Sequence, residues 1–143
     1  TVAKTLAATS GTATGLVMRL AVDYTDIQTT AGSPYVLGPP FLPDNVIITR
    51  TWYEVTTTFT SATDAAVIGF GIETDDSDGL VTPVGISTGT PYDAGYHGGI
   101  QDGTAAAFSV KTAAAGRGIE ATLTTEDLTA GALVLFCEYV IGG

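Results

Sequence analysis

The chain has only one cysteine, one histidine, one methionine and one tryptophan in 143 residues. A lone Cys137 excludes an intrachain disulfide and every multi-cysteine metal motif. A lone His97 leaves a zinc site to be completed by carboxylates. A Ser–His–acid hydrolase would have to draw on Asp93 or Asp102, in glycine-rich text that offers no rigid frame. Cations are also scarce: Lys4, Arg19, Arg50, Lys111 and Arg117 stand against 15 acidic residues, for a net charge of −10. Five scattered cations build no basic patch, so no nucleic-acid partner is expected. No apolar run approaches the roughly 18 residues of a membrane-spanning helix, so no membrane partner is expected either. The sequence opens at Thr1, not Met, with no basic segment leading into an apolar one; a processed start without a signal peptide is the expectation.

Charge of either sign is thin as well. Charged residues make up 14% of the chain, against roughly 25% in an average soluble domain. Much of the surface must then consist of Thr, Ser, Gly and small apolar groups, which fits a protein partly covered in an assembly. A chain of this length supports one core, hence one domain.

What the chain does have is strand signal. Thr1 to Gly15 is Thr, Ala, Ser or Gly at twelve of fifteen positions, with Val2 and Leu6 as its only sizeable anchors, and reads as an extended N-terminal arm, 1–15, ahead of a single domain, 16–143. Leu16 to Tyr24 alternates apolar and polar, the period of a half-buried strand. Pro34, Pro39, Pro40 and Pro43 then restrict pairing to Tyr35–Leu37 at a sheet edge. Asn45 to Thr60 is the longest β-branched and aromatic run, with Tyr53 and Val55 on one face and Trp52 and Glu54 on the other. SATD, Ser61 to Asp64, suggests a hairpin turn into a strand over Ala65–Thr74, where Gly69 and Gly71 invite the close approach of another backbone. Pro83 to Gly103 reads as a loop, and strands resume at Ala106–Lys111, Gly118–Thr124 and Ala132–Ile141. TEDLTAGA, from Thr125, is the only helical candidate. With no helix long enough for a crossover, the pattern predicts an all-β, antiparallel β-sandwich. Jelly-roll and immunoglobulin-like topologies are both open on strand pattern alone, and a jelly-roll-like arrangement is the expectation carried forward.

The stretch GIETDDSDGLV crowds Glu73, Asp75, Asp76 and Asp78 together. As a calcium loop it would need oxygen donors at loop positions 1, 3 and 5, glycine at 6 and glutamate at 12. Taking Gly79 as the sixth position puts Thr74 first and Gly85 twelfth, so the motif fails. The expectation is an exposed turn in which Asp75, Asp76 and Asp78 bind no metal required for folding. Glu54 and Glu73 are the carboxylate pair that could meet across a sheet in a glycosidase. Cys137, inside an apolar strand, reads as a buried small hydrophobe. No catalytic residue, metal ligand or cofactor is assigned, and the chain is expected not to be an enzyme.

Two long phrases carry a resemblance. LPDNVIITRTWYEVTTTFTSATDAAVIGFGIETDDSDGLV (Leu42 to Val81) and YHGGIQDGTAAAFSVKTAAAGRGIEATLTTEDLTAGALVLFCEYV (Tyr96 to Val140) resemble small structural proteins encoded in the head gene regions of tailed bacteriophages, of the head decoration or cement type. The resemblance implies a virion component on the capsid outer surface, assembled as a homotrimer at local three-fold positions, with the major capsid protein as partner. It carries no catalytic or ligand residue across. A cement protein needs anchors toward its neighbours; Val2 and Leu6 in the arm and Trp52, Tyr53, Tyr92 and Tyr96 are the interface candidates. The rival reading is a carbohydrate-binding or adhesive fibre or tail module, which would use the same aromatics as an exposed shelf beside Asp93.

Overall fold

The computed structural model describes residues 16–98 and 112–142. Among these, eight strands form two four-stranded sheets. The strands are β1 (Leu16–Asp23), β2 (Tyr35–Leu42), β3 (Val46–Ser61), β4 (Val67–Ile72), β5 (Asp76–Gly85), β6 (Gly95–Gly98), β7 (Arg117–Thr124) and β8 (Leu128–Ile141). One sheet has the order β1-β8-β3-β6 and the other β2-β7-β4-β5, and all their pairings are antiparallel. The first strand therefore pairs with the last, the second with the seventh, the third with the sixth and the fourth with the fifth. These are the pairings of one long hairpin, with successive pairs falling in alternate sheets. The fold is all-β and antiparallel, consistent with a β-sandwich.

The alternation seen in β1 and β8 decides which faces turn inward. Met18, Leu20 and Val22 are buried opposite Cys137, Leu135 and Leu133, and the intervening residues face out. From the second sheet, Ile68, Phe70 and Ile72 of β4 and Ile119, Ala121 and Leu123 of β7 join the same core. β3 does not keep a single phase. Ile48 pairs with Tyr139 but Arg50 with Glu138, so β3 carries one extra residue, Thr49, at that point. The bulge lets Val46 and Ile48 share the buried face with Thr51, Tyr53 and Val55, where strict alternation would separate them.

Tyr35, Val36 and Leu37 pair with β7 at the sheet edge as expected, but the strand is not restricted to them: it runs on through Pro39 and Pro40, and after a register break Leu42 pairs with Arg117. Three further elements differ from the sequence reading. β3 and β4 lie in different sheets, so Ser61–Asp64 is a crossing between sheets, not a hairpin turn. The segment from Thr125 is a turn followed by the start of β8, because Leu128 is buried and pairs with Ser61. β5 and β6 arise where loop was expected; both are edge strands, and the edge is where Pro83 in β5 is tolerated. The expected strand Ala106–Lys111 lies outside the described residues.

One carboxylate makes most of the side-chain ties at the sheet crossing. Glu126 accepts hydrogen bonds from Ser61 Oγ (2.6 Å), Thr63 N (3.0 Å), Thr63 Oγ1 and Ala65 N (3.2 Å). The Ser61 hydroxyl, the Thr63 hydroxyl and the backbone amides favour its ionised form and lower its pKa from 4.5 to about 2. A depressed carboxylate adds stability that is complete above its unfolded value and is lost as pH falls through the folded one. The window here is 4.5 down to about 2. Glu126→Gln is expected to lower the melting temperature at neutral pH and to flatten the acid dependence across that window, read by thermal melts at stepped pH; identical profiles for the two proteins would contradict it.

Candidate functional site

The register of the first sheet builds its outer face row by row. Val17, Glu138 and Arg50 form one row across β1, β8 and β3; Arg19, Phe136, Trp52 and Gly98 form the next; Ala21, Val134, Glu54 and Tyr96 form the third. Most of these residues alternate with buried neighbours along their strands, which turns them to the outer face. The Trp52 and Phe136 rings stack across strands, with centroids 5.4 Å apart and planes 9° apart. The Arg50 guanidinium sits 4.3 Å from the centre of the Trp52 ring, within cation–π range. Arg50 Nε is 4.0 Å from Glu138 Oε1, a loose pair at an exposed site that adds little. Tyr96 is 75% exposed and Val17 52%. The face is therefore an aromatic rib flanked by charges of both signs.

The interface candidates divide into groups. Val2 and Leu6 lie outside the described residues. Trp52 and Tyr96 are on the outer face. Tyr53 and Tyr92 are not surface residues: they are 1% and 0% exposed and belong to the chain's own core. Tyr53 follows the phase that the bulge imposes on β3. It stacks on His97 at 5.3 Å and its hydroxyl donates to the Pro91 carbonyl at 2.9 Å. Tyr92 enters the core from the loop between β5 and β6 and donates to the Ile68 carbonyl at 2.9 Å. Phe136 went unassigned in the sequence, although the shared parity of Phe136 and Glu138 in β8 was legible; what was missing was the cross-strand register that sets Phe136 beside Trp52.

The acidic stretch is only partly the exposed turn expected: Glu73 to Asp75 form the turn, Asp76 and Asp78 open β5, and Asp75 is not exposed. Asp75 Oδ2 accepts from Arg117 Nε at 3.0 Å and from Ala113 N at 2.9 Å, and its side chain is only 12% exposed. Burial alone would raise this carboxyl; the Ala113 amide and the Arg117 guanidinium outweigh it and hold the pKa below the ordinary value. Glu54 and Glu73 do not meet, since Glu54 is in β3 of one sheet and Glu73 follows β4 of the other. Glu73 accepts from Gly118 N at 3.1 Å. Glu120 has its pKa raised, first by burial and then by the charge of Glu73. His97 Nε2 lies 2.7 Å from the backbone carbonyl of Asp93, not from its carboxylate. Burial pushes the Cys137 thiol up to about 12, leaving it un-ionised at neutral pH.

No group of three or more His, Cys, Asp or Glu that could hold a metal ion occurs among the described residues, and no helix among them is long and apolar enough to cross a membrane. A cleft of about 280 Å³ opens between the edge strands β1 and β2, lined by Leu20, Ala21, Val36, Leu37, Pro39 and Asp26. Asp26 is committed to a capping box, accepting from Asp23 N at 2.9 Å. The cleft thus gathers no pair of groups that could exchange a proton with a substrate.

No protein-family model matches the chain, and no curated protein matches it. Solved structures do. A chain of the capsid of Ralstonia phage GP4 superposes with a TM-score of 0.64 at 17% identity, over 91% of this chain and 86% of that one. A chain of the acidic stable capsid structure of Helicobacter pylori bacteriophage KHP30 gives 0.60 at 11% identity, over 89% and 87%. A chain of the capsid asymmetric unit of cyanophage Pam1 gives 0.62 at 13% identity, over 96% and 94%. At these identities the likeness is one of fold, and it extends over nearly the whole of each chain.

Proposed function

We propose that this chain is a non-enzymatic structural protein of a tailed-phage head that decorates the outer surface of the capsid and stabilises it by bridging neighbouring subunits of the major capsid protein. The observation that carries the reading is the near full-length likeness of fold to chains from the capsids of three different phages. The rolled-hairpin strand order supports a jelly roll, the eight-stranded architecture common among viral capsid domains. In this reading, residues 1–15 are an arm that reaches a neighbour, and the protein works as a homotrimer. Bridging helps because expansion of a pressurised shell must then break several attachments at once, and linked attachments greatly exceed one contact in strength. A net charge of −10 also keeps the protein from competing with the shell for the packaged genome.

The adhesive alternative is less well supported. A sugar-binding shelf needs free aromatic faces, yet Tyr53 and Tyr92 are in the core and the Trp52 ring is engaged by Phe136 and Arg50. Of the four candidate aromatics, Tyr96 alone stays open.

The test is to add the full chain, and a chain lacking residues 1–15, to bare mature heads and to measure occupancy by imaging and genome retention on heating. The full chain is expected to bind and to raise the temperature of genome loss. The shortened chain is expected to stay folded but to bind more weakly. Equal occupancy and retention would rule out the arm as a clamp; no binding to heads, with selective capture on a glycan array, would transfer the assignment to an adhesive module.

A further inference from the structure

We infer that the outer face of the β1-β8-β3-β6 sheet is the seam at which one copy of this chain packs against another. The inference rests on the reading that the chain assembles with copies of itself. It starts from how charge is distributed. Among the described residues there are fourteen acidic side chains and three arginines. Two acids, Glu54 and Glu138, and two arginines, Arg19 and Arg50, lie in the three rows of this face. Everywhere else, twelve acids face Arg117 alone, and Arg117 is paired with Asp75.

Copies of so acidic a chain repel one another, and a contact that sets acid against acid costs several kcal/mol. The three rows are where charge balances and where apolar surface lies between the charges. Arg19 on β1 and Glu54 on β3 have no ion-pair partner among the described residues and stand on either side of the β8 row. A neighbouring copy can supply the missing partner for each.

The side chains between them suit the middle of an interface. Val17, Phe136, Trp52, Val134 and Tyr96 all belong to these outward rows, and the cations among them are arginines without lysine. Tryptophan, tyrosine and arginine are the types that dominate interface energetics. The Trp52–Phe136 stack also fixes both rings before association, so little rotamer freedom is left to lose when the seam closes.

The test uses charge reversal at exposed positions, which leaves the core untouched. Arg19→Glu with Arg50→Glu in one chain is expected to weaken self-association by about a hundredfold or more, read by sedimentation velocity at micromolar concentration, with the circular dichroism spectrum of the folded chain unchanged. Mixing Arg19→Glu chains with Glu54→Arg chains is expected to restore mixed oligomers. Unchanged association of the double variant overturns the seam. So does a wild-type chain that stays monomeric both in solution and when chemically cross-linked on heads. Head binding scored in parallel separates the two readings: failure to bind heads sinks the capsid role, whereas head binding with unaltered self-association of the double variant sinks the seam alone.

Discussion

Replacing Tyr92 by alanine is expected to destabilise the fold by about 3–5 kcal/mol, a loss large enough to leave a substantial unfolded fraction in a domain of ordinary marginal stability. Tyr92 connects the two sheets. Its carbonyl accepts from Phe59 N of β3 at 3.0 Å, and its hydroxyl donates to the carbonyl of Ile68 in β4 at 2.9 Å. Its ring stacks on Tyr53 at 5.8 Å and meets the edge of Phe59 at 5.7 Å. Truncation opens a ring-sized cavity between the sheets and leaves the Ile68 carbonyl buried without that donor. Tyr92→Phe keeps the packing and loses only the hydrogen bond, so about 1 kcal/mol is expected. Urea unfolding midpoints with unchanged slopes distinguish the two variants, and equal midpoints for Tyr92→Ala and the parent would contradict the assignment. An alkaline signature accompanies this core. Burial raises the Tyr53 phenol from 10.0 to about 12, and burial followed by the charge of Tyr53 raises Tyr92 well above its ordinary value. The unfolded phenols ionise first, so stability is complete below 10 and falls as pH rises toward 12.

Gly71→Ala is the second large effect, at about 3 kcal/mol. Gly71 lies in β4, and a Cβ added there would meet the backbone of Asp76 and Ser77, where β5 turns back over β4. A flexible side chain could move aside; a backbone held in a sheet cannot do so without breaking its ladder. The same substitution at Gly98, where an added Cβ meets nothing within 4 Å, is the control and is expected to change stability by under about 0.5 kcal/mol. The acidic turn follows Gly71 directly, so Gly71→Ala is also expected to loosen the Asp75–Arg117 pair. A Gly71→Ala protein as stable as the Gly98→Ala protein would show that β5 does not pack as closely as described.

Much of this fold is legible in the residues, and the gaps have physical causes. β1 and β8 alternate cleanly because each has one wet and one dry face, and the close approach at Gly71 could be foreseen from a strand with glycines on one face. β3 misleads because its bulge at Thr49 is set by pairing with β8 and leaves no local mark on the sequence. β5 and β6 were missed because edge strands need little apolar alternation and tolerate proline and glycine. Only the Glu73–Asp75 part of the acidic stretch is the turn that was legible; the start of β5 at Asp76 and the burial of Asp75 were not, since Arg117 lies 42 positions away.

The candidate surface was half legible for the same reasons. Trp52 and Tyr96 could be named from residue type alone, but Tyr53 and Tyr92 could not be told apart from them. The burial of Tyr53 depends on the phase of β3 after the bulge, and Tyr92 sits in a loop with no period to read. The pairing of Trp52 with Phe136, and the balance of Arg19 and Arg50 against Glu54 and Glu138, exist only once β1, β8 and β3 are in register.

The most direct test of the capsid role is cryo-electron microscopy of intact particles that carry this chain. The account predicts density for a two-sheet body on the outer surface of the head, at sites where each copy or cluster of copies touches more than one capsid subunit, with the Trp52–Phe136 face turned toward another copy. Heads that lack such density, with the two-sheet body found on the tail or nowhere on the particle, would contradict it.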